Sequence, residues 1–215
     1  MKVVFFGPPG AGKGTQAAKF SETFGIPAIS TGHIIRQAMA AGTPVGKIAE
    51  DYIKNGALLP DDVVTALVAE RLSEDDCQKG YILDGFPRTL VQAKLMAEND
   101  ISVDFVLDIE VADEAIVKRM AGRRVCGKCG AAFHTEFNPP KAEGICDVCG
   151  EPLEVRADDA PEVVLKRLSV YHEQTEPVKA YYKQQNKLLT IHGEGNVEDV
   201  FERVRMAALD RAGEA

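Results

Sequence analysis

One stretch near the N-terminus of the 215-residue chain is Lys2-Val3-Val4-Phe5-Phe6-Gly7-Pro8-Pro9-Gly10-Ala11-Gly12-Lys13-Gly14-Thr15. The apolar run at 3–6 predicts a buried strand, and the amphipathic stretch at 13–24 predicts a helix. Glycines between the two elements allow backbone N–H groups to surround an anion, and the helix N-terminus adds its positive end. Lys13 can reach the terminal phosphates. The stretch therefore predicts a loop that binds a nucleoside triphosphate.

The loop departs from the common pattern G-x-x-x-x-G-K-[ST] at one position, because Gly14 follows Lys13 and Thr15 comes only after it. A switch GTPase would also need an Asn-Lys-x-Asp segment to recognise guanine. The nearest segment, Asn186-Lys187-Leu188-Leu189, has no Asp. These observations favour a nucleotide-binding protein outside the switch GTPases.

Short apolar runs alternate with longer amphipathic stretches along most of the chain. Strands are predicted at 3–6, 28–30, 81–83, 103–109 and 188–192, and helices at 13–24, 32–41, 61–73, 89–98, 113–121, 160–185 and 197–212. This alternation predicts an α/β fold with a doubly wound, parallel five-stranded sheet and helices on both faces. The periodicity breaks at 122–159, where four Cys, five Gly and three Pro predict a small separate lobe.

The charge of the chain restricts its partners. Lys and Arg number 25 against 33 Asp and Glu, which gives a net charge of −8. Nucleic acids and anionic membranes are polyanions, so we expect neither as a partner, and a phosphate site must depend on a few positioned cations. No apolar run approaches the roughly 18 residues of a spanning helix, and the N-terminal run is too short for a signal peptide. We expect a cytoplasmic monomer.

Four cysteines have the spacing of a zinc site. Cys126 and Cys129 form one C-x₂-C pair, Cys146 and Cys149 form another, and 16 residues separate the pairs. This spacing predicts four thiolates on one tetrahedral metal, with no open position for catalysis, and therefore a structural Zn²⁺. Free thiols or a pair of disulfides are the alternative, and cobalt or iron also accept four thiolates.

Three further motifs accompany the loop at 7–15: Ser30-Thr31-Gly32, Asp84-Gly85-Phe86-Pro87-Arg88 and Gly122-Arg123-Arg124. Together they resemble the adenylate kinases, within the nucleoside monophosphate kinase family. The resemblance covers essentially the whole chain, including the cysteine-bearing lid of the long bacterial form. It implies reversible, Mg²⁺-dependent phosphoryl transfer from ATP to AMP, which gives two ADP and balances the adenine nucleotides.

The resemblance also implies roles for individual residues. The catalytic residues would be Lys13, Arg88, Arg123, Arg156, Arg167 and Asp84, the last holding Mg²⁺ through water. The ATP-binding residues would be Gly10, Ala11, Gly12, Lys13, Gly14, Thr15, Arg123, Ala132, Phe133 and the backbone of Gly195. The AMP-binding residues would be Thr31, Arg36, Ala57, Leu58, Leu59, Gly85, Phe86, Pro87, Arg88, Gln92, Arg156 and Arg167, with Gln92 recognising adenine.

By the same resemblance, 1–29, 60–121 and 160–215 form the core, 30–59 is a helical AMP-binding insert and 122–159 is a small zinc-binding lid. The two lobes would close over the substrates and exclude water. His33 stands where the family usually carries Asp, and an imidazole does not repeat the interaction of a carboxylate with metal-bound water. The expected consequence is confined to the outer shell of Mg²⁺.

Two alternatives remain open at this point. A sister nucleoside monophosphate kinase would use UMP, CMP or GMP, since the choice of base depends on a few contacts such as Gln92. A zinc-ribbon module that senses ATP is the other alternative. Five cations against seven carboxylates at 123–159 disfavour a nucleic-acid surface on that lobe.

Overall fold

The main sheet is built around the strand that precedes the glycine-rich loop. The computed structural model describes residues 1–213. Its strands in chain order are β1 (Lys2–Phe6), β2 (Ala28–Ser30), β3 (Tyr81–Asp84), β4 (Phe105–Glu110), β5 (Arg123–Cys126), β6 (Ala132–His134), β7 (Leu153–Glu154) and β8 (Leu188–His192). Within these residues the main sheet has the order β2-β3-β1-β4-β8, and all its pairings are parallel. The predicted five-stranded parallel sheet is confirmed.

Helices cover both faces of this sheet. They are α1 (Lys13–Phe24), α2 (Thr31–Ala40), α3 (Pro44–Lys54), α4 (Asp61–Leu72), α5 (Leu90–Glu98), α6 (Asp113–Ala121), α7 (Pro161–Val170), α8 (Val178–Gln184) and α9 (Val197–Gly213). Val4 and Phe6 pack into the core on one face, while Val3 and Phe5 pack on the other. Successive strand residues point to opposite faces, so β1 is buried on both sides. In the part of the chain described, none of the helices has the length and apolarity needed to cross a membrane.

Two helical regions differ from the sequence prediction. No helix is predicted at 44–54, but α3 lies there. The Thr43 hydroxyl caps it by accepting a hydrogen bond from the Gly46 N–H at 3.1 Å, and Pro44 occupies the first turn. The single helix predicted at 160–185 is interrupted by a π-helical turn, Tyr171–Thr175, and then by Pro177, which has no N–H to continue a helical ladder.

The predicted lobe at 122–159 contains a small antiparallel sheet of order β6-β5-β7, which the sequence patterns do not predict. Its strands have only two to four residues, too few for a periodicity to be visible. Its buried cluster consists of Cys126, Phe133 and Cys146. So small an apolar core leaves the lobe in need of another source of stability, which a metal bound to its four cysteines would supply.

In the lobe at 30–59, α2 and α3 pack against each other at a glycine. A Cβ added to Gly46 would lie 2.1 Å from the carbonyl oxygen of Ala38. Such a separation is far below van der Waals contact, and the neighbouring atom belongs to the backbone. The absence of a side chain at Gly46 is therefore a requirement of this packing.

We expect Gly46→Ala to lower the free energy of unfolding by about 1–3 kcal/mol, because α2 and α3 must separate to admit the methyl group. Helix propensity alone would make Ala about 1 kcal/mol more stabilising than Gly at this position. A loss of stability therefore has to come from the close contact with the Ala38 carbonyl. Thermal melting measures the change. Gly213→Ala on α9 is the matched control, since no described atom lies within 4 Å of its added Cβ. Equal effects of the two substitutions would contradict the prediction.

Candidate active site

The glycine-rich loop connects β1 to α1 in a conformation that requires glycine. The φ angles of Gly7 and Gly12 are +132° and +95°, in a region that residues with side chains rarely adopt. A Cβ on Gly7 would also lie 2.4 Å from the carbonyl oxygen of Ile109 on β4. α1 begins at Lys13, immediately after the loop. The backbone N–H groups and the helix N-terminus thus form an anion-binding concavity.

Lys13 lies within this loop. Its Nζ donates hydrogen bonds to the carbonyl oxygens of Gly7 at 2.8 Å and Pro8 at 2.7 Å. Burial lowers the pKa of Lys13 to about 8, against the opposing effect of Asp84, and Arg88 lowers it further. The charged form of Lys13 is therefore destabilised in the protein alone. An adjacent phosphate would stabilise it.

Asp84 ends β3, and in the register of the sheet it lies beside Phe5. A Cβ on Gly14 would approach Asp84 Oδ2 to 3.3 Å. A Ser or Thr at position 14 would thus crowd this carboxylate, which gives a physical reason for the departure from the usual loop pattern. Asp84 supplies the oxygen donor that Mg²⁺ prefers, next to the loop where phosphates would lie.

Two adjacent aspartates hold three arginines of the predicted site. Arg123 Nε donates to Asp159 Oδ2 at 2.7 Å, and Arg156 Nε donates to Asp158 Oδ1 at 2.8 Å. Arg167 lies 2.9 Å from a carboxylate oxygen of Asp158. Although burial raises the pKa of Asp158, the charges of Arg167 and Arg156 hold it well below its usual range. Asp158 is therefore ionised, and the pair fixes the positions of all three guanidinium groups.

Two other arginines have few partners. Arg36 makes no hydrogen bond or ion pair with any residue of the described chain, and the guanidinium of Arg88 donates only through Nε, to the Gly85 carbonyl at 2.7 Å. Burial, followed by the charge of Arg156, lowers the pKa of Arg36 to about 10. Burial also lowers the pKa of Arg88. Guanidinium donors without partners suit bidentate binding of phosphate oxygens.

Two cavities meet at these cations. The larger lies between the phosphate loop and the lobe at 122–159, and the smaller lies between the C-terminal end of β3 and the lobe at 30–59. Five cations line both cavities: Lys13, Arg36, Arg88, Arg156 and Arg167. A phosphate in either cavity would therefore share cations with a phosphate in the other.

The structure places the predicted binding residues around these cavities with one exception. Every residue predicted to bind ATP lines the larger cavity, Gly195 included. The residues predicted to bind AMP line the smaller cavity, apart from Phe86. The ring of Phe86 is 1% exposed and belongs to the hydrophobic core beside β3. Its side chain packs the strand end and does not face the cavity.

Three residues of the site are absent from the predicted set: Asp158, Asp159 and Arg119. The two aspartates follow Arg156 closely in the sequence, and this adjacent acidic pair is the signal that points to them. Arg119 on α6 donates to the Gly193 carbonyl at 2.9 Å, lines the larger cavity, and has a pKa lowered by burial. No sequence pattern distinguishes Arg119 from an ordinary helix-surface cation.

The four predicted metal ligands lie together in the lobe at 122–159. Their Sγ atoms are all within 4.8 Å of one another, with 3.4 Å between Cys126 and Cys149 and 3.6 Å between Cys129 and Cys146. A disulfide needs about 2.05 Å, whereas tetrahedral Zn–S bonds of about 2.3 Å place sulfurs about 3.8 Å apart. The cluster therefore fits a tetrahedral metal and excludes disulfides in this arrangement.

Comparisons with known proteins identify the family. The sequence profile described as "Adenylate kinase" matches residues 5–187. An adenylate kinase of Thermoanaerobacter sp. (strain X514) is 48% identical over 215 residues, which cover 98% of this chain and 99% of the relative. An adenylate kinase of Carboxydothermus hydrogenoformans is 50% identical over 96% of this chain and 99% of the relative. One of Pyrococcus furiosus is 43% identical over 95% of this chain and 94% of the relative. The chain belongs to the adenylate kinase family.

Within this family member, His33 joins the two small lobes. His33 is a residue of α2, and Gly130 belongs to the lobe at 122–159. A Cβ added to Gly130 would lie 2.8 Å from Nδ1 of His33, so the two residues are in close contact. Burial, together with the charge of Arg36, lowers the pKa of His33. The imidazole is thus mainly neutral at pH 7, and it lies against the opposite lobe.

We expect Cys129→Ser to lower the melting temperature while leaving the rate of ADP formation within severalfold at low temperature, because a four-cysteine metal stabilises the lobe without touching substrate. A chelator should lower the melting temperature of the unmodified protein but have little further effect on Cys129→Ser. Cys77→Ala, which removes a buried thiol outside the cluster, should keep the response to the chelator. Loss of activity with unchanged melting would overturn the structural assignment.

We expect His33→Asp to change turnover or its Mg²⁺ dependence by less than about tenfold, since outer-shell groups act on the metal through water. ADP formation measured over a range of Mg²⁺ concentrations tests this expectation. His33→Asn is the neutral control, which separates the effect of charge from that of ring removal. A change larger than about tenfold in both variants would assign the imidazole a specific role, and one confined to His33→Asp would assign it to the introduced carboxylate; either result would contradict the expectation.

Proposed function

We propose that this protein catalyses the reversible, Mg²⁺-dependent transfer of the terminal phosphoryl group of ATP to AMP, giving two ADP and maintaining the balance of adenine nucleotides. In this proposal ATP occupies the larger cavity and AMP the smaller one. We further propose that it acts as a monomer in the cytoplasm, because each proposed site residue belongs to a single chain and both substrates are intracellular nucleotides.

The observation that carries this proposal is the sharing of cations between the two cavities. Lys13, Arg88, Arg156 and Arg167 line both, so the donor and acceptor phosphates would meet among them. Phosphoryl transfer spreads negative charge over the oxygens of the transferred group and needs the two reactants in line. Fixed cations between two nucleotide sites supply both the positioning and the electrostatic stabilisation.

Each cation has a defined part in the proposed mechanism. Lys13 and Arg123 bind the phosphates of ATP, Arg36 and Arg88 hold the AMP phosphate, and Arg156 with Arg167 spans the two. Asp158 and Asp159 keep three of these guanidinium groups in place before substrate arrives. Asp84 would hold Mg²⁺ through water, and the bound ion would neutralise charge on the ATP phosphates.

We propose that the chain is organised as a core of residues 1–29, 60–121 and 160–215, an AMP-binding lobe at 30–59 and a lid at 122–159. Closure of the two lobes would exclude water and strengthen the electrostatic interactions inside. His33 and Gly130, one from each lobe, lie close together and both line the larger cavity, so the two lobes meet at this cavity. A structural Zn²⁺ on the four cysteines would keep the lid folded during its motion.

The test is ADP formation from Mg·ATP with AMP, UMP, CMP or GMP offered separately. We expect rapid ADP formation with AMP alone. Lys13→Met should reduce the rate by about 100- to 1,000-fold, because it removes a fixed cation from the phosphates of ATP. Lys19→Met is the matched control on the same helix, where the side chain pairs with Glu198, and it should retain activity.

Each contrary result identifies a different error. Transfer to another acceptor would keep the fold and the roles of the arginines but make the protein a sister kinase. ATP binding without transfer to any acceptor would overturn the enzymatic proposal and favour an ATP sensor.

A further inference from the structure

A buried glutamine lines the smaller cavity, and both partners of its side-chain amide are defined. Gln92 on α5 is 1% exposed and belongs to the cavity lining. Its Oε1 accepts a hydrogen bond from the backbone N–H of Arg88 at 2.7 Å, and its Nε2 donates to Asp61 Oδ1 at 2.9 Å. One N–H and one lone pair of the amide remain for a ligand.

These partners allow only one orientation of the amide. A backbone N–H can only donate, and an ionised carboxylate can only accept. Rotating the amide of Gln92 by 180° would place its NH₂ against the Arg88 N–H and its oxygen against the carboxylate of Asp61. Such a rotation exchanges two hydrogen bonds for two repulsive contacts. The usual ambiguity between the two amide orientations therefore does not arise here.

Asp61 is itself held in place. Its Oδ1 also accepts a hydrogen bond from Thr89 Oγ1 at 2.9 Å, and the same hydroxyl oxygen accepts from the Gln92 backbone N–H at 3.1 Å. The start of α4 and the start of α5 are thus connected through one carboxylate oxygen. The orientation of the amide depends on a residue 31 positions earlier in the sequence.

The orientation matters because purines differ in the order of their polar groups. Adenine presents an amino donor at position 6 beside an acceptor at N1. Guanine and hypoxanthine present an oxygen acceptor at position 6 beside an N–H donor at N1. An amide in one orientation complements the polar groups of adenine, and only the rotated amide complements those of guanine or hypoxanthine. An amide that cannot rotate therefore discriminates between the two classes of base.

We propose that Asp61 is a specificity-determining positioning residue, which favours 6-aminopurine over 6-oxopurine monophosphates by fixing the orientation of the Gln92 amide. The inference rests on the proposed function in one respect, that the smaller cavity takes the base of a nucleoside monophosphate. Asp61 itself needs no contact with the nucleotide.

If Asp61 acted only by stabilising α4, its replacement would leave the preference between the two classes of base unchanged. Asp61 and Asp62 both lie in the first turn of α4, where negative charge stabilises the helix dipole. Among the contacts of the described chain, however, the side chain of Asp62 makes no hydrogen bond or ion pair. Asp62→Asn removes the same helix-dipole interaction as Asp61→Asn without touching Gln92, and it is therefore the matched control.

The experiment measures the Kd of AMP and of inosine monophosphate by calorimetry for the unmodified protein, Asp61→Asn and Asp62→Asn. An asparagine at 61 can accept from Gln92 Nε2 or donate to Gln92 Oε1, so it removes one of the two contacts that oppose rotation, while the contact with the Arg88 N–H remains. We expect Asp61→Asn to bind inosine monophosphate about fivefold more tightly while the Kd of AMP stays within twofold. Asp62→Asn should change neither Kd. A gain in affinity for one ligand does not arise from partial unfolding.

Equal ratios of the two Kd values in Asp61→Asn and the unmodified protein would overturn the inference, as would an equal change in Asp62→Asn. Asp61→Ser gives the same test with a smaller side chain if Asp61→Asn fails to fold. ADP formation measured on the same samples separates the two proposals. AMP binding without ADP formation would contradict the proposed reaction, while the ratio of Kd values would still decide the role of Asp61.

Discussion

The burial of several cations close together, with their mutual repulsion as a second unfavourable effect, is the constraint on which the site depends. Lys13, Arg36, Arg88 and Arg167 lose solvent on burial and lie close to one another, and the pKa of each is lowered, with burial as the first cause. Asp158 and Asp159 offset only part of this charge. The arrangement remains electrostatically incomplete until anions enter, and two nucleotides would supply them.

This constraint also reconciles an acidic chain with polyanionic substrates. The net charge of −8 describes the whole chain, whereas the cations of the site come from five separate regions. These are the phosphate loop with the start of α1, α2, the segment between β3 and α5, the lobe at 122–159 and α7. Under the proposed division of the chain, lobe closure brings these regions together. Phosphates would lower the electrostatic cost of closure, so that substrate binding and closure favour each other.

The sequence predicts the parts of this structure whose signals are local. Apolar runs and a glycine-rich turn identify the five strands and the phosphate loop, and cysteine spacing identifies the sulfur cluster. α3 has local signals too, since Thr43 and Pro44 mark its start and apolar residues at 45, 48, 49, 52 and 53 recur with helical spacing. The prediction of individual helices overlooks these signals. The acidic pair Asp158 and Asp159 is visible in the sequence, but its role is missed because that role exists only where the fold brings Arg123 and Arg167 beside the pair. Tertiary contacts of this kind leave no repeating pattern in a sequence.

Gln92 illustrates the same limit at the level of specificity. A family resemblance assigns this glutamine to the base, but an amide has two orientations that recognise opposite patterns of donors and acceptors. Its orientation is decided by the backbone of Arg88 and by Asp61, which packs beside it only because α4 and α5 start next to each other. The residue type thus provides the hydrogen-bonding capacity, while the neighbours decide which base can use it. Specificity in this cavity belongs to the network rather than to the residue that contacts the ligand.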